Sequence, residues 1–229
     1  MQVLIDNWDL VLRAFGYTVS LFLVAGVLSM LFGTLLAALR VGPIAVTSKA
    51  ADLYVTVVRN TPLLMVFMFM AGAAPRLAEF LNFRWFKVEV GGYDFSATWL
   101  AGVIALTLYT SCFVCEALRS GINAVDLGQA EAARAIGLPF GGVMRNVVLP
   151  QAFRASAPPM ASTLIALLKN TSVAAGFGIA EAVAQMRGLT NNYAGDRWMI
   201  FLGFAIIYVL LVELVSLASA GVERRWRIV

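Results

Sequence analysis

The stretch GQAEAARAIGLPFGGVMRNVVLPQAF, residues 128–153, is a polar segment in a chain that is otherwise strongly apolar. Hydrophobic residues make up 61% of the 229 residues and charged residues only 13%, whereas a soluble domain typically has about 25% charged residues. The apolar residues lie in long runs on both sides of the stretch. This distribution predicts an integral membrane protein in which residues 128–153 lie outside the lipid.

Five apolar runs are long enough to cross a bilayer, which takes about 20 mostly apolar residues in a helix. We predict an all-α, polytopic membrane helix bundle that forms a single domain over residues 1–229. Its five transmembrane helices cover approximately residues 16–39, 62–80, 97–118, 156–177 and 198–220. The second should begin at Pro62, because proline lacks an amide donor and favours the first turn of a helix.

The basic residues are unevenly divided between the two sides that five spans create. Six lie on the side of the N-terminus and ten on the side of the C-terminus and of the polar stretch. The ten are Arg40, Lys49, Arg59, Arg119, Arg134, Arg145, Arg154, Arg224, Arg225 and Arg227. Since cytoplasmic loops carry an excess of Lys and Arg, we predict a cytoplasmic C-terminus, an outside N-terminus and a long cytoplasmic loop over about residues 126–150.

Within this loop the residue pattern predicts two short amphipathic helices. Asp126 can cap the first helix, Gly137 is a natural stop, and Pro139 is a natural start for the second. The residues alone leave two roles open. The loop could be an interfacial element that anchors the spans, or it could be a docking site for a cytoplasmic partner.

A spaced motif lies in the same loop. The motif fits the pattern EAA-x3-G-x9-I-x-L-P at Glu131, Ala132, Ala133, Gly137, Val147, Leu149 and Pro150, with Val147 in place of isoleucine as the one departure. It resembles the EAA loop of ATP-binding-cassette (ABC) importer permeases. The resemblance implies that Glu131 through Gly137, with Arg134 among them, forms a coupling helix that sits in a groove on an ATPase subunit.

Three further stretches are similar to one branch of that family, the permeases for polar amino acids. They are VVRNTPLLMVFMFM (57–70), YTSCFVCEALRSGINAV (109–125) and LLKNTSVAA (167–175). The resemblance covers the chain from about residue 10 onward and looks closest to permeases for glutamate or glutamine uptake. It implies a type-1 ABC transmembrane domain in a multi-pass protein of the bacterial inner or cytoplasmic membrane.

The chain lacks its own energy source, since no G-x-x-x-x-G-K-[ST] loop for nucleotide phosphates occurs. We therefore expect no catalysis and no cofactor in this chain, with ATP and Mg bound by a partner ATPase subunit. The family resemblance also implies a second permease chain, identical or related, and an extracellular or periplasmic solute-binding protein that lands on the outward loops 81–96 and 178–197. Membrane lipid and an amino-acid substrate complete the partners; the absence of a basic stripe with interleaved aromatics argues against nucleic acid.

Lys169 is the sharpest candidate for a pathway residue, because an ionisable group inside a span costs about 2.5–3.5 kcal/mol on insertion scales. With Asn170, Thr171 and Ser172 it forms a polar cluster that could line the substrate pathway, the ammonium attracting a substrate carboxylate. Alternatively, Lys169 pairs with an acid of the protein or extends to the outer surface.

Two other polar residues are candidates for the pathway. Glu116, at the inner end of the third span, should pair with Arg119 one helical turn further on, or it could act in gating. Thr61, together with Asn60, should cap the helix that begins at Pro62, where a helix N-terminus would favour an anionic group. The Cys112–Cys115 pair fits packing between helices better than a metal or redox site, and we expect no metal centre.

Other functional classes fit the sequence less well. A membrane-embedded enzyme would need convergent acid, base or metal-binding groups, and the chain has no histidine and only isolated carboxylates. An autonomous channel or secondary carrier remains the alternative. Such carriers often contain internal repeats with paired broken helices, and the sequence has no visible repeat.

Overall fold

The structure, a computed structural model, describes residues 2–80 and 87–226. Helices dominate it, as the apolar runs predict. The α-helices in chain order are α1 (Gln2–Asp6), α2 (Trp8–Val41), α3 (Ala45–Asn60), α4 (Leu63–Phe80), α5 (Ala97–Asn123), α6 (Leu127–Ala135), α7 (Phe140–Val143), α8 (Leu149–Asn170), α9 (Ala182–Asn192) and α10 (Arg197–Trp226). A π-helical segment, Met144–Val148, joins α7 to α8, and 3-10 segments lie at Thr171–Phe177 and Ala194–Asp196.

A β-hairpin is the one departure from the all-α prediction among the described residues. Strand β1 (Lys87–Val90) pairs antiparallel with β2 (Tyr93–Ser96). The turn between them is Gly91-Gly92, with φ angles of 58° and 82°. A two-residue hairpin turn with positive φ at both positions strongly favours glycine. The hairpin sits just before α5, where the sequence analysis expected only a loop.

Three described helices, α2, α5 and α10, are each long and apolar enough to cross a membrane. Two bent pairs raise the count to five if each pair is one span: α3 with the first part of α4, bent by 105°, and Phe140–Phe177 with α9, bent by 52°. The second predicted span begins where expected, since α4 starts directly after Pro62. A separate helix, α3, precedes it, which the apolar pattern did not predict.

The fourth predicted span begins earlier than residue 156. Helical structure runs without a gap from Phe140 through the π-helical segment into α8 and on to Phe177. Pro150 does not interrupt it; this proline lies at the start of α8, directly after the π-helical segment. The second short helix of the predicted loop is therefore continuous with the fourth span and is not an independent element.

The core lies where α5 packs between α2 and α8. A Cβ atom on Gly33 would lie 2.6 Å from Val114 Cβ, and one on Gly121 would lie 2.3 Å from the Ala152 carbonyl oxygen. Small residues thus allow these helices to approach closely, which is typical of helix packing in membranes. The largest apolar cluster around this contact includes Leu21, Phe67, Val103, Leu106, Leu167 and Ile179.

Candidate functional site

Two ends of the bundle carry the candidate sites. At the loop end, the last turns of α2 and α5 meet α7, the π-helical segment and the start of α8 around a shared cavity, and α6 packs beside them. At the hairpin end, the first turns of α2 meet β2 and the region before α9. The EAA-like motif lies at the loop end.

Helix α6 has the capping that the sequence predicts. Asp126 Oδ1 accepts a hydrogen bond from the Gly128 amide at 2.7 Å. After the helix, Gly137 has a φ of 89° and its amide donates to the Arg134 carbonyl at 2.9 Å. Since this backbone region favours glycine, Gly137 forms the elbow between α6 and α7.

One residue of the EAA triplet holds α6 in place and the other two face outward. Ala133 is buried against Val143 and Val148 in a small apolar cluster. Glu131, Ala132 and Arg134 are exposed on the opposite face, as is Gly137. Helix α6 therefore presents a polar, mixed-charge surface that the chain itself leaves uncovered.

Leu149 and Pro150, the last two motif residues, form the first turn of α8. Leu149 lines an apolar cavity of about 230 Å³ at the loop end, and Pro150 is exposed. The cavity is also lined by Ala37, Val41, Leu118, Phe140 and Phe153. The motif thus reaches from an exposed helix to a cavity between the spans.

Glu116 does not pair with Arg119, so the intrahelical prediction was wrong. Its carboxylate Oε1 lies 2.6 Å from Arg40 Nη1 of α2 and 3.7 Å from Arg59 Nη1 of α3. Arg40 also contacts Asp52. Arg119 is exposed on another face of α5. Glu116 therefore binds three helices together, which spacing along one helix could not indicate.

Thr61 also differs from the prediction. Its hydroxyl donates backward to the Val57 carbonyl at 2.8 Å, and its amide donates to the Val58 carbonyl at 3.1 Å. These bonds close the last turn of α3 and do not cap α4. The reason is the 105° bend between the two helices, which puts Thr61 at the end of one helix as well as before the next.

The polar residues predicted to form one cluster at residues 169–172 lie in three different environments. Lys169 is exposed, and Ser172 donates to its carbonyl oxygen at 2.7 Å. Thr171 is fully buried, donates to Leu168 and lies 3.1 Å from the Tyr208 hydroxyl of α10. Thr171 thus bonds helices together, and Asn170 lines a cavity.

That cavity, of about 390 Å³, lies between α5 and α8. Its polar lining comes from Tyr109, Thr110, Ser162, Thr163 and Asn170. Thr110 is 2% exposed and its hydroxyl has no hydrogen-bond partner among the described residues. An orphaned buried hydroxyl costs about 1–3 kcal/mol, which marks Thr110 as an unsatisfied polar residue beside the cavity. The sequence analysis quoted Thr110 in a family-like stretch but assigned it no role.

A buried acid at the hairpin end was also missed. Glu181 is 0% exposed, and its Oε1 accepts from the Ala184 amide at 2.9 Å to cap α9. The next amide, Ala182, donates to Thr18 Oγ1 of α2 at 3.1 Å. The position of Glu181 directly before the helical stretch of α9 is the only signal in the sequence, and it does not indicate burial.

The outward loops named in the sequence analysis are partly covered by the structure. Residues 81–86 lie outside the described residues; 87–96 form the hairpin. Tyr17 Oη of α2 accepts from the Asp94 amide at 2.9 Å and holds the hairpin on the bundle. On its exposed side, a hydrogen bond at 2.8 Å between Lys87 and Glu89 raises the pKa of Lys87 and lowers the pKa of Glu89.

No group of three or more His, Cys, Asp or Glu side chains that could hold a metal occurs within residues 2–80 and 87–226. Cys112 and Cys115 are both fully buried in an apolar cluster with Leu36, Val55 and Val114. They pack between α2, α3 and α5.

Comparisons with known proteins agree with this architecture. The profile of the family described as "Binding-protein-dependent transport system inner membrane component" matches residues 29–228. The chain is 39% identical over 206 residues to the glutamate transport system permease protein GluC of Corynebacterium efficiens, covering 87% of this chain and 86% of that protein. It is 33% identical to the glutamate/aspartate import permease protein GltJ of Escherichia coli K12, covering 93% and 86%.

Solved structures show the same fold. A crystal structure of an amino acid ABC transporter with histidines superposes with a TM-score of 0.82 at 26% identity, over 97% of this chain and 96% of that one. An inward-facing structure of the MetNI methionine ABC transporter reaches 0.73 at 18% identity, over 97% and 99%. With a profile match over most of its length and relatives above 30% identity, the chain belongs to the family of binding-protein-dependent transport system inner membrane components.

Proposed function

We propose that the chain is the membrane permease subunit of an ATP-driven ABC importer for polar amino acids, with glutamate or glutamine as the first substrates to test. The similar proteins of C. efficiens and E. coli carry names of glutamate and glutamate/aspartate permeases, and a relative in Bacillus subtilis is described as a probable glutamine permease. The chain acts as one transmembrane domain and performs no catalysis itself.

The observation that carries this proposal is the arrangement of α6. Ala133 fixes the helix against Val143 and Val148, while Glu131 and Arg134 remain exposed. A helix that is packed on one face and presents charges on the other is suited to bind a partner and to transmit its conformational change to the spans. The partner is an ATPase subunit, which binds the ATP and Mg.

The proposed orientation has the loop end in the cytoplasm and the hairpin end outside. The excess of basic residues on the loop side supports it. In this orientation the hairpin and the region 178–197 meet the solute-binding protein, and exposed Val88 and Val90 of β1 offer apolar contact there. The protein then lies in the bacterial cytoplasmic membrane.

The substrate pathway follows the α5–α8 cavity. Thr110 and Asn170 supply hydroxyl and amide groups, and Ser162 and Thr163 add further hydrogen-bonding capacity. Lys169 is exposed one residue before Asn170 and can attract an anionic group toward this route. Glu116 and Thr61 bond to other parts of the protein instead. They affect the pathway by holding the surrounding helices in place.

A second permease chain completes the pathway. Helix α8 exposes Pro158, Ser162, Ala166 and Lys169 at helical spacing. Ser162 and Ala166 are small, and small residues at helical spacing permit close helix approach in a membrane. Whether the second chain is an identical copy or a related one is decided by disulfide cross-linking of a Ser162→Cys variant between two differently tagged copies.

The central experiment purifies the tagged chain from its native host and reconstitutes the complex in vesicles with the solute-binding protein. An ATPase subunit should co-purify. Uptake of labelled glutamate or glutamine should require ATP on the side of the vesicle membrane opposite to the binding protein. Arg134→Glu should abolish uptake, whereas Arg119→Glu, an exposed charge reversal at the same end, should not. Uptake that continues without ATP would favour an autonomous channel or secondary carrier.

A Thr110→Val variant tests the pathway. Valine keeps the shape of threonine and removes the hydroxyl, so the concentration of amino acid needed for half-maximal uptake should rise. Thr34→Val is the matched control, since the Thr34 hydroxyl donates within its own helix to Met30. Equal uptake curves for both variants would remove Thr110 from the pathway.

A further inference from the structure

A single glutamine connects α6 to the beginning of α8. Gln151 Nε2 donates to Gln129 Oε1 at 2.5 Å, across 22 residues of chain. The same nitrogen donates to the Val147 carbonyl at 2.9 Å. Gln129 lies on α6, Val147 lies in the π-helical segment, and Gln151 lies in the first turn of α8. One side-chain amide thus joins three consecutive parts of the loop end.

The π-helical segment makes this link consequential. π-helical turns are rare and occur mostly at functional sites. This one lies between α7, which packs against α6, and α8, whose far end carries Asn170 of the pathway cavity. A displacement of α6 that passes through α7 therefore reaches α8 through a segment with irregular hydrogen bonding, whereas the Gln129–Gln151 bond joins α6 to α8 directly.

The apolar contacts of α6 with α7 and the π-helical segment centre on Ala133, Val143 and Val148. Apolar burial is not directional, so these contacts hold α6 close but do not set its angle. Hydrogen bonds weaken steeply when they are bent. The Gln129–Gln151 bond is therefore a directional side-chain contact between α6 and α8, in addition to the chain elbow at Gly137.

We infer that Gln151 is a positioning residue for energy coupling: it links the motion of α6 to α8 through Gln129 and the Val147 carbonyl. This inference rests on the proposed function. A helix of 22 residues such as α8 transmits displacement over about 33 Å, at about 1.5 Å per residue. Loss of the link lets α6 tilt without moving α8, so ATP is hydrolysed with less transport.

The test measures amino acid taken up per ATP hydrolysed in vesicles that contain the complete complex and its binding protein. Gln151→Leu should keep the ATPase subunit bound and lower this ratio about fivefold, the effect of losing one hydrogen bond of ordinary net strength. Gln129→Leu should behave alike. The double variant should be no worse than either single one, since both remove the same bond. Asn123→Leu, exposed at the same end of the bundle, should leave the ratio unchanged.

A charge-swapped pair supplies a rescue. Gln129→Lys and Gln151→Glu should each lower the ratio, and together they should restore most of it through a new ion pair. A merely structural role would show as loss of the ATPase subunit from Gln151→Leu, and that result overturns the inference. A wild-type ratio in Gln151→Leu, or failure of the swapped pair to recover, also overturns it. Failure of the proposed function itself appears separately, as a wild-type chain that binds no ATPase or transports without ATP.

Discussion

Arg40 and Glu116 form an ion pair of 2.6 Å between the end of α2 and the last third of α5. The Arg40 side chain is only 6% exposed, and it also contacts Asp52 of α3. Arg59, 44% exposed, approaches the same glutamate at 3.7 Å. The Arg40 guanidinium therefore joins α2 to α3 and α5. Arg59 makes a longer and more exposed contact with Glu116.

We predict that Arg40→Leu destabilises the permease by about 2 kcal/mol, between the values for exposed and for fully buried ion pairs, because Glu116 loses its nearest partner. Arg59→Leu should cost well under 1 kcal/mol, since that arginine is exposed and more distant. Thermal unfolding of the purified chain in detergent measures both. Equal losses in the two variants would contradict the ranking.

The close approach of α5 to α8 depends on Gly121. An added Cβ atom would lie 2.3 Å from the Ala152 carbonyl oxygen and 2.9 Å from Ser156 Cβ, and backbone cannot move away cheaply. Gly121→Ala should therefore cost about 1–3 kcal/mol through overpacking and lower the unfolding temperature.

Gly72→Ala is the matched control, because nothing lies within 4 Å of a Cβ atom at Gly72. Alanine also favours a helix by up to about 1 kcal/mol over glycine, so this variant should unfold at the same temperature or slightly higher. A loss in Gly72→Ala as large as that in Gly121→Ala would show that helix propensity, and not helix contact, decides the effect.

Apolar runs predicted where the helices lie, because crossing a bilayer requires about 20 apolar residues whatever the tertiary fold. They could not predict the bend between α3 and α4 or the continuity of α7 with α8. The chain bends by 105° at the break beside Pro62, whereas the helix continues through Pro150, so a proline alone does not predict a bend.

The candidate site was predicted unevenly for the same reason. The EAA-like motif and Gly137 are local patterns, and the structure has the expected helix and elbow there. Glu116 was paired with Arg119 because spacing reveals neighbours on one helix only, whereas Arg40 is 76 residues away. The Gln129–Gln151 bond and the burial of Glu181 likewise depend on contacts between distant segments.

Gly137→Ala tests the elbow after α6. With a φ of 89°, Gly137 adopts a conformation that costs an L-residue about 1–2 kcal/mol, although nothing obstructs the side chain itself. The variant should fold but hold α6 at an altered angle, so ATP-dependent uptake should fall more than stability. Gly141→Ala is the control: it has equal space and no positive φ. Unchanged uptake in Gly137→Ala would remove the elbow from the coupling route.

Variants of Glu181 can distinguish the role of its negative charge from its role as the cap of α9. Its Oε1 caps the Ala184 amide, while Oε2 has no hydrogen-bond partner among the described residues. If the cap is what matters, Glu181→Gln should unfold close to the wild-type temperature, because the amide oxygen can accept the same bond. Glu181→Ala should lose about 2 kcal/mol or more, from the lost cap and from the cavity that the missing side chain leaves. Thermal unfolding in detergent separates the cases, and a Glu181→Gln variant as unstable as Glu181→Ala would mean that a negative charge at this buried position, and not the cap, holds α9 against α2.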